Sequence, residues 1–377
     1  MAVLDKIFKL AVEHKASDIH ISPGEPFIFR KTGKLIRLKS PKLTPEQTRQ
    51  CIFEILTKEQ QELLTENLQL DFALELEGLA RLRGSAMMHN RGFSGVFRVV
   101  PLAVPSLEEL GHPDSVRKSL DNHQGLILVT GPAGMGKSTT LAAMVDYINT
   151  NRAHHVLTVE DPIEFVHPLK KGAINQRQLG KETLSYANAL KGALRQDPDV
   201  IVVGELRDLE TISLAMSASE TGHLVIGTLA TSSAHKTVDK IIDSYPPEEQ
   251  NQIRAMLGET LKAVITQRLL PGIKGDKMEL ACEILLGTLS MANLIRDSKT
   301  FQIPSLMQTG RSSGMKLMDD SIMELFKAEK ISIETALAFA ENKAVFEKLN
   351  TPGPGAVNKN AAAPPNARSQ REKKGTR

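Results

Sequence analysis

The chain has no tryptophan and only three tyrosines among 377 residues, so it lacks the aromatic platform on which single-stranded nucleic acid is stacked. Cysteine is scarce as well: Cys51 and Cys282 form no metal-ligand spacing and no disulfide framework. That scarcity fits a reducing cytosol, and a cytoplasmic protein is expected. No run approaches the roughly 18–20 consecutive apolar residues that a membrane-spanning helix needs. The opening stretch MAVLDKIFKLAVEHK does not read as a secretory leader, because Asp5 and Lys6 interrupt it. Its Leu4, Ile7, Phe8 and Ala11 share one face of an amphipathic helix instead. Basic charge is missing from the body of the chain. The formal net charge is +3, but the last 27 residues carry Lys359, Arg368, Arg371, Lys373, Lys374 and Arg377 against Glu372 alone, which leaves −2 on the other 350. No nucleic-acid partner is expected of such a body.

What is present divides along the chain. A length of 377 residues predicts more than one core. Residues 1–101 read as a small α/β module. SDIHISPG alternates like an edge strand, and FIFRKTGKLIRL reads as two strands about a Thr32-Gly33 turn. A helical segment follows, with Thr44 as N-cap, Pro45 in the first helical position and Ile52, Phe53 and Ile55 buried. Three strand-like runs then close the module: LDFALELEG, LARLRGSAMMH and GFSGVFRVVP. Three prolines mark residues 102–115 and their surroundings as a linker. Within 116–288 the apolar runs GLILVTG, HHVLTVED, DVIVVGEL and HLVIGTLA alternate with helical patterns. They carry little internal polarity, as parallel strands covered on both faces do. Residues 289–350 read as helical, and 351–377 as a disordered basic tail rich in Pro, Gly, Ala and Asn.

Chemistry enters at Gly131-Pro132-Ala133-Gly134-Met135-Gly136-Lys137-Ser138, which matches G-x-x-x-x-G-K-[ST]. Glycines let backbone N–H groups close around phosphate oxygens without Cβ clashes. The helix that follows, Thr139 in its first turn, points its positive end at the same anion. Lys137 is the residue to neutralise β- and γ-phosphate charge, and the Ser138 hydroxyl is a ligand for Mg²⁺. ATP and Mg²⁺ are therefore the expected cofactors. Hydrolysis further needs an acid that orders the metal and a group that positions water. Two apolar strands end in acids: Val200–Val203 leads to Glu205, and Thr158-Val159 leads through Glu160 and Asp161 to Glu164. Carboxylates at the C-terminal ends of parallel strands lie where ligands of open α/β sheets bind.

These motifs, with VEDPIEFVH, LRQDPDVIVVGELRD and ETGHL before Thr228-Leu229, make the chain resemble the secretion and type IV pilus ATPases. The likeness is strongest to the twitching-motility retraction group, and it runs over roughly 340 of the 377 residues. It implies a PAS-like N-terminal domain, a RecA-like P-loop ATPase core and a helical C-terminal region. It implies Glu205 as the Walker B acid and Mg²⁺ ligand, and Glu164 as the polariser of the attacking water. Arg83 and Arg98 match arginines that approach nucleotide across or beside a subunit interface, and His223 matches the first His-box histidine. The implied assembly is a homo-hexameric ring motor recruited to the inner membrane at a platform protein of the pilus machine. It can work beside a paralogous retraction ATPase.

Two positions depart from the family pattern. The second His-box position is Ala230, and the family's A-I-R-N-L-I-R segment reads Ser290-Met291-Ala292-Asn293-Leu294-Ile295-Arg296. Alanine at 230 cannot donate a hydrogen bond or carry a proton, unless His235 substitutes for it. The departures motivate an alternative, a weakly hydrolysing accessory or regulatory ring subunit. An assembly or secretion ATPase is a third reading, disfavoured by the two-cysteine count and the short N-terminal module.

Overall fold

A computed structural model describes residues 3–76, 78–275 and 277–350. The basic tail expected at 351–377 lies outside them. The chain begins with α1 (Val3–Glu13), β1 (Asp18–Ile21), β2 (Ile28–Lys31), β3 (Lys34–Arg37), α2 (Pro45–Glu54), α3 (Lys58–Asn67), β4 (Gln69–Leu76), β5 (Ala80–His89) and β6 (Gly92–Val100). The six strands form one sheet in the order β3-β2-β1-β6-β5-β4. Its pairings are antiparallel. The SDIHI strand is thus interior, not the edge that its alternation suggested. A half-polar strand can sit mid-sheet when one of its faces is wet, and edge and centre then share one pattern. The other face of this sheet packs Leu4 and Phe8 of α1 and Ile52 of α2 against Phe72, Leu82 and Phe97. The rings of Phe8 and Phe97 lie 5.1 Å apart. Thr44 caps α2 in a reciprocal box with Gln47, and Thr57 does the same for α3 with Gln60.

The second half runs α4 (Asp114–Ser119), β7 (Gly125–Thr130), α5 (Lys137–Asn151), β8 (His155–Glu160), β9 (Ala173–Gln178), α6 (Tyr186–Ala193), β10 (Val200–Val203), α7 (Leu209–Glu220), β11 (Leu224–Leu229), α8 (Ala234–Asp243), α9 (Gln250–Thr260), β12 (Leu261–Pro271) and β13 (Met278–Leu286). Its sheet has the order β13-β12-β7-β11-β10-β8-β9, parallel throughout except for the β12–β13 hairpin. The strands β7, β10 and β11 are buried at every position, as helices on both faces require. The segment before α4 is anchored, with Leu107 and His112 both buried.

The C-terminal region adds α10 (Leu289–Arg296), α11 (Ile303–Thr309), α12 (Met318–Lys327), α13 (Ile333–Phe339) and α14 (Lys343–Asn350). The last three pack their apolar residues, among them Met318, Ile322, Ala336 and Phe346, around Leu270 and Ala281 of the hairpin. Ala292 is buried in α10, where it meets α9 at Gly258; a Cβ at Gly258 would stand 3.2 Å from the Ala292 carbonyl oxygen. This close approach of α9 to the α10 backbone requires glycine at 258.

Candidate nucleotide site

The parallel sheet presents β7, β11, β10 and β8 side by side, and each releases its chain at the same rim. From β7 the chain enters the 131–138 loop, in which Gly131, Gly134 and Gly136 hold φ of 142°, 77° and 80°. Gly131 is compelled twice, because a Cβ there would stand 2.5 Å from the Gln267 carbonyl oxygen. Lys137 opens α5 and folds back over the loop, its Nζ donating to the carbonyls of Gly131 at 2.8 Å and Pro132 at 3.0 Å. Burial holds its pKa below the ordinary lysine value, opposed by the charge of Glu205.

One cleft of about 940 Å³ gathers most of the predicted groups, within the range of roughly 300–1,000 Å³ typical of small-molecule sites. Ala133 to Thr139, Glu164, Glu205, Arg83 and Arg98 all line it. Gly131 and Pro132 act from behind through the carbonyls that anchor Lys137. Glu205 pairs with Arg207, Oε2 to Nε 2.7 Å, and Arg207 Nη1 reaches Asp161 at 3.8 Å. Glu160 ends β8 in the cleft wall and accepts from Thr158 Oγ1 at 2.6 Å and Gln176 Nε2 at 3.1 Å. Burial raises its pKa above the carboxylate range, the two hydrogen bonds opposing it. Ser138 and Glu205 offer a hydroxyl and a carboxylate in one cleft, the hard oxygen donors that suit Mg²⁺.

The opposite wall belongs to the antiparallel sheet, and strand register builds it. Asp18 stands opposite Arg30 on one side and Arg98 on the other, and Arg98 stands opposite Arg83. The result is a row of charges across β2, β1, β6 and β5. Like charges directly opposed repel, and each guanidinium is met by a carboxylate. Asp18 takes Arg98 at 3.0 Å and Arg30 at 4.0 Å. Arg83 Nη1 reaches Glu164 Oε1 of the parallel half at 3.2 Å.

The family model "Type II/IV secretion system protein" matches residues 1–336. The chain belongs to this family. Among its relatives, the type IV pilus retraction ATPase PilT of Pseudomonas aeruginosa is 46% identical over 333 residues, which cover 88% of this chain and 96% of that one. The type IV pilus ATPase PilU of the same organism is 35% identical over 338 residues, covering 90% and 88%. A crystal structure of the pilus retraction motor PilT with bound ADP matches at a TM-score of 0.81 and 42% identity, over 92% of this chain and 99% of that one.

Against the family pattern, one predicted ligand is misplaced. His223 precedes β11, and its carbonyl accepts from Gly125 N at the start of β7. It lies at the N-terminal end of the strands, a β11 length from the cleft, roughly 20 Å at about 3.3 Å per residue. Its ring nitrogen Nδ1 faces the Ala218 carbonyl oxygen at 3.1 Å, which makes it a closure for α7 and not a cleft residue. A whole strand length separates two histidine positions that the sequence motif presents together. Ala230, at the C-terminal end of β11, does line the cleft. His235 does not; its Nδ1 meets Ser233 Oγ at 3.2 Å in the first turn of α8. Sequence reasoning passed over Asp18, Arg30 and Arg207 as site residues. The signal for Asp18 was an acid alternating with apolar residues in SDIHI, and for Arg207 its position two residues after Glu205.

Proposed function

We propose that the chain is an ATP-hydrolysing subunit of a homo-hexameric ring motor that drives type IV pilus retraction and twitching motility. One observation carries the reading: Lys137, Glu164 and Glu205 face a single cleft, although they follow three different strands, β7, β8 and β10. In this reading Lys137 and the 131–138 backbone hold the triphosphate, and Glu205 with Ser138 holds Mg²⁺. The metal, when bound, neutralises charge that develops on the β- and γ-phosphate oxygens. Glu164 orients the attacking water, and Arg83 and Arg98 bring positive charge from the other sheet, where charge develops. An arginine that must travel with a separate sheet makes hydrolysis sensitive to the placement of that sheet, which is what a motor needs. Relatives named for pilus retraction and for twitching motility support the same assignment. A peripheral position at the inner membrane, on a platform protein of the pilus machine, follows from this role.

Steady-state ATP turnover with Mg²⁺ tests the reading. Lys137→Ala is expected to abolish it, and turnover that ignores this change, or that is absent under every oligomerising condition, overturns it. A second reading rests on Ala230, whose methyl lies in the cleft that His235 does not reach. In that reading the chain is a weakly hydrolysing accessory beside a fuller paralogue, and PilT and PilU of one organism show that two such relatives coexist. Ala230→His decides between them. A gain of about tenfold or more in turnover supports the weakened enzyme, and no gain counts against it.

A further inference from the structure

Strand β12 touches the cleft with one face and the C-terminal helices with the other. On the cleft side Gln267, buried, donates from Nε2 to the Met135 carbonyl at 2.6 Å, and Leu269 lines the cleft beside Met135. On the opposite side Arg268 spans three partners. Its Nη1 donates to the Phe339 carbonyl at 2.9 Å, and its Nη2 lies 3.4 Å from Glu341 Oε1 and 3.5 Å from the Ser232 carbonyl oxygen. Glu283 of β13 stands opposite Thr266, on the same face as Arg268. Its Oε1 accepts from Ala234 N at 2.6 Å, and the Met318 N–H supports the same carboxylate. Ser232 and Ala234 belong to the turn that leaves the cleft at Ala230 and enters α8. Phe339 and Met318 belong to the C-terminal helices, and Glu341 to the connection between α13 and α14. Asp319 closes that side by accepting from the N–H groups of Glu341 and Asn342, each at 2.8 Å.

We propose that Arg268 and Glu283 are positioning residues for hydrolysis, which fix the 230–234 turn to the helices of 318–342, so that the placement of those helices sets the geometry at the Ala230 end of the cleft. The inference rests on the nucleotide reading of that cleft. Attachment of the helices does not require these groups, since Leu270, Ala281, Met318, Ile322 and Phe346 already form an apolar cluster there. A buried carboxylate is a poor way to add stability, because its desolvation offsets most of what its partners return. Burial pushes the Glu283 carboxyl up to about 7, the mark of that cost. What the pair supplies is direction. Its contacts take the turn by a carbonyl at 232 and an N–H at 234, and the Thr231 and Thr237 hydroxyls, 2.6 Å apart, stiffen the piece between. A force applied to the C-terminal helices by a neighbouring copy then reaches the cleft through a short, packed path.

The test uses the full chain and its Arg268→Gln, Arg268→Lys and Asp319→Asn variants, with N-methylanthraniloyl-ADP fluorescence for affinity and steady-state turnover for kcat and KM. Arg268→Gln is expected to keep nucleotide affinity within about threefold while kcat falls about tenfold or more, since small displacements at a reacting centre are costly. Arg268→Lys recovers part of the loss. Asp319→Asn, whose contacts lie wholly among the C-terminal helices, is expected to lower kcat about threefold in the wild-type background and to add nothing to Arg268→Gln. Additive effects overturn the proposal, as does a loss shared equally by affinity and kcat. Where Arg268→Gln does not fold, the cycle of Arg268→Lys with Asp319→Asn separates coupled from additive behaviour in its place. A wild-type chain that binds no nucleotide overturns the cleft assignment and this proposal with it, whereas binding and turnover with additive variants overturn this proposal alone.

Discussion

The two walls of the cleft come from two kinds of sheet, and each supplies its chemistry from a different part of its strands. The parallel sheet uses strand ends. Its β7, β10 and β11 are buried throughout, so the charged groups for ligand handling gather at and beyond the C-terminal ends of the strands, in the loops and the first turn of α5. The antiparallel sheet uses a strand face. Along β5 the buried Ala80, Leu82, Gly84 and Ala86 alternate with Arg81, Arg83 and Ser85, and Arg83 and Ser85 look onto the cleft. A strand-end site is fixed by loop conformation and admits close backbone approach to an anion. A strand-face site moves as a rigid row, all its arginines together. The first arrangement suits gripping a triphosphate, and the second suits sensing position.

The sharpest way to break this division is through the contact that joins the halves. Glu164→Gln keeps the size of the side chain and removes the charge that meets Arg83 and that is proposed to orient water. On the reading above, kcat is expected to fall by about 10²–10⁴, with N-methylanthraniloyl-ADP affinity little changed; a loss of less than about fivefold in steady-state turnover would show that water is positioned by another group. Arg83→Gln comes next, with an expected loss of about ten- to a hundredfold in kcat. Here the direction of the KM change is informative. If Arg83 acts on the transition state alone, kcat and kcat/KM fall together. If KM rises at constant kcat, the arginine belongs to ground-state gripping and the division between the walls fails.

How much of this was legible before the fold was known follows from the same contrast. The strand-end chemistry reads directly, because a glycine-bearing loop between an apolar run and a helix, or an acid closing an apolar run, is local in sequence. Lys137, Ser138 and Glu205 read that way, Glu164 is the one of three acids closing the β8 run that the family resemblance singles out, and all four line one cleft. The strand-face chemistry does not read locally. That Asp18, Arg98 and Arg83 form one row depends on register between strands 80 residues apart in the chain, which no pattern within a strand specifies. For the same reason SDIHI read as an edge. His223 failed in the opposite sense, since a motif that spans a whole strand places its two ends on opposite rims of the sheet. The β12–β13 hairpin carries Gln267, Arg268 and Glu283, and their polar side chains in apolar strands became meaningful only with the helices packed on them.

A stability measurement sharpens the comparison on the parallel side. His112, buried beside the phosphate loop's helix, meets Thr140 Oγ1 through Nε2 at 2.9 Å, and burial lowers its pKa from 6.5 to about 4. The native state therefore holds it neutral, while the unfolded chain takes up a proton below about pH 6.5. Its contribution is complete above that value and is lost as pH falls toward about 4, the loss reaching about 2 kcal/mol at pH 5. Glu283, raised to about 7, works the other way and loses its contribution as pH rises from 4.5 toward 7. The informative quantity is therefore the difference between the wild type and His112→Gln. In urea unfolding, the advantage of the wild type is expected to shrink between pH 7 and pH 5, and a constant difference would place the histidine's role in packing alone.

The smallest expected effect tests whether the antiparallel half is only a carrier for its arginines. Thr44 caps α2, its side chain accepting from Gln47 N at 3.2 Å while Gln47 Oε1 accepts from Thr44 N at 2.9 Å. Thr44→Ala removes both the side-chain acceptor and the reciprocal geometry, at a cost of about 1 kcal/mol, seen as a lower urea midpoint for the N-terminal unit. Helix α2 packs on the face of β6 that Phe93 and Phe97 occupy, away from Arg98. If the sheet acts as a rigid row, kcat stays within about twofold of the wild type. A fall in kcat as large as that of Arg83→Gln would mean that helix packing behind the sheet tunes the arginines in front of it, and the antiparallel wall would then be a deformable sensor.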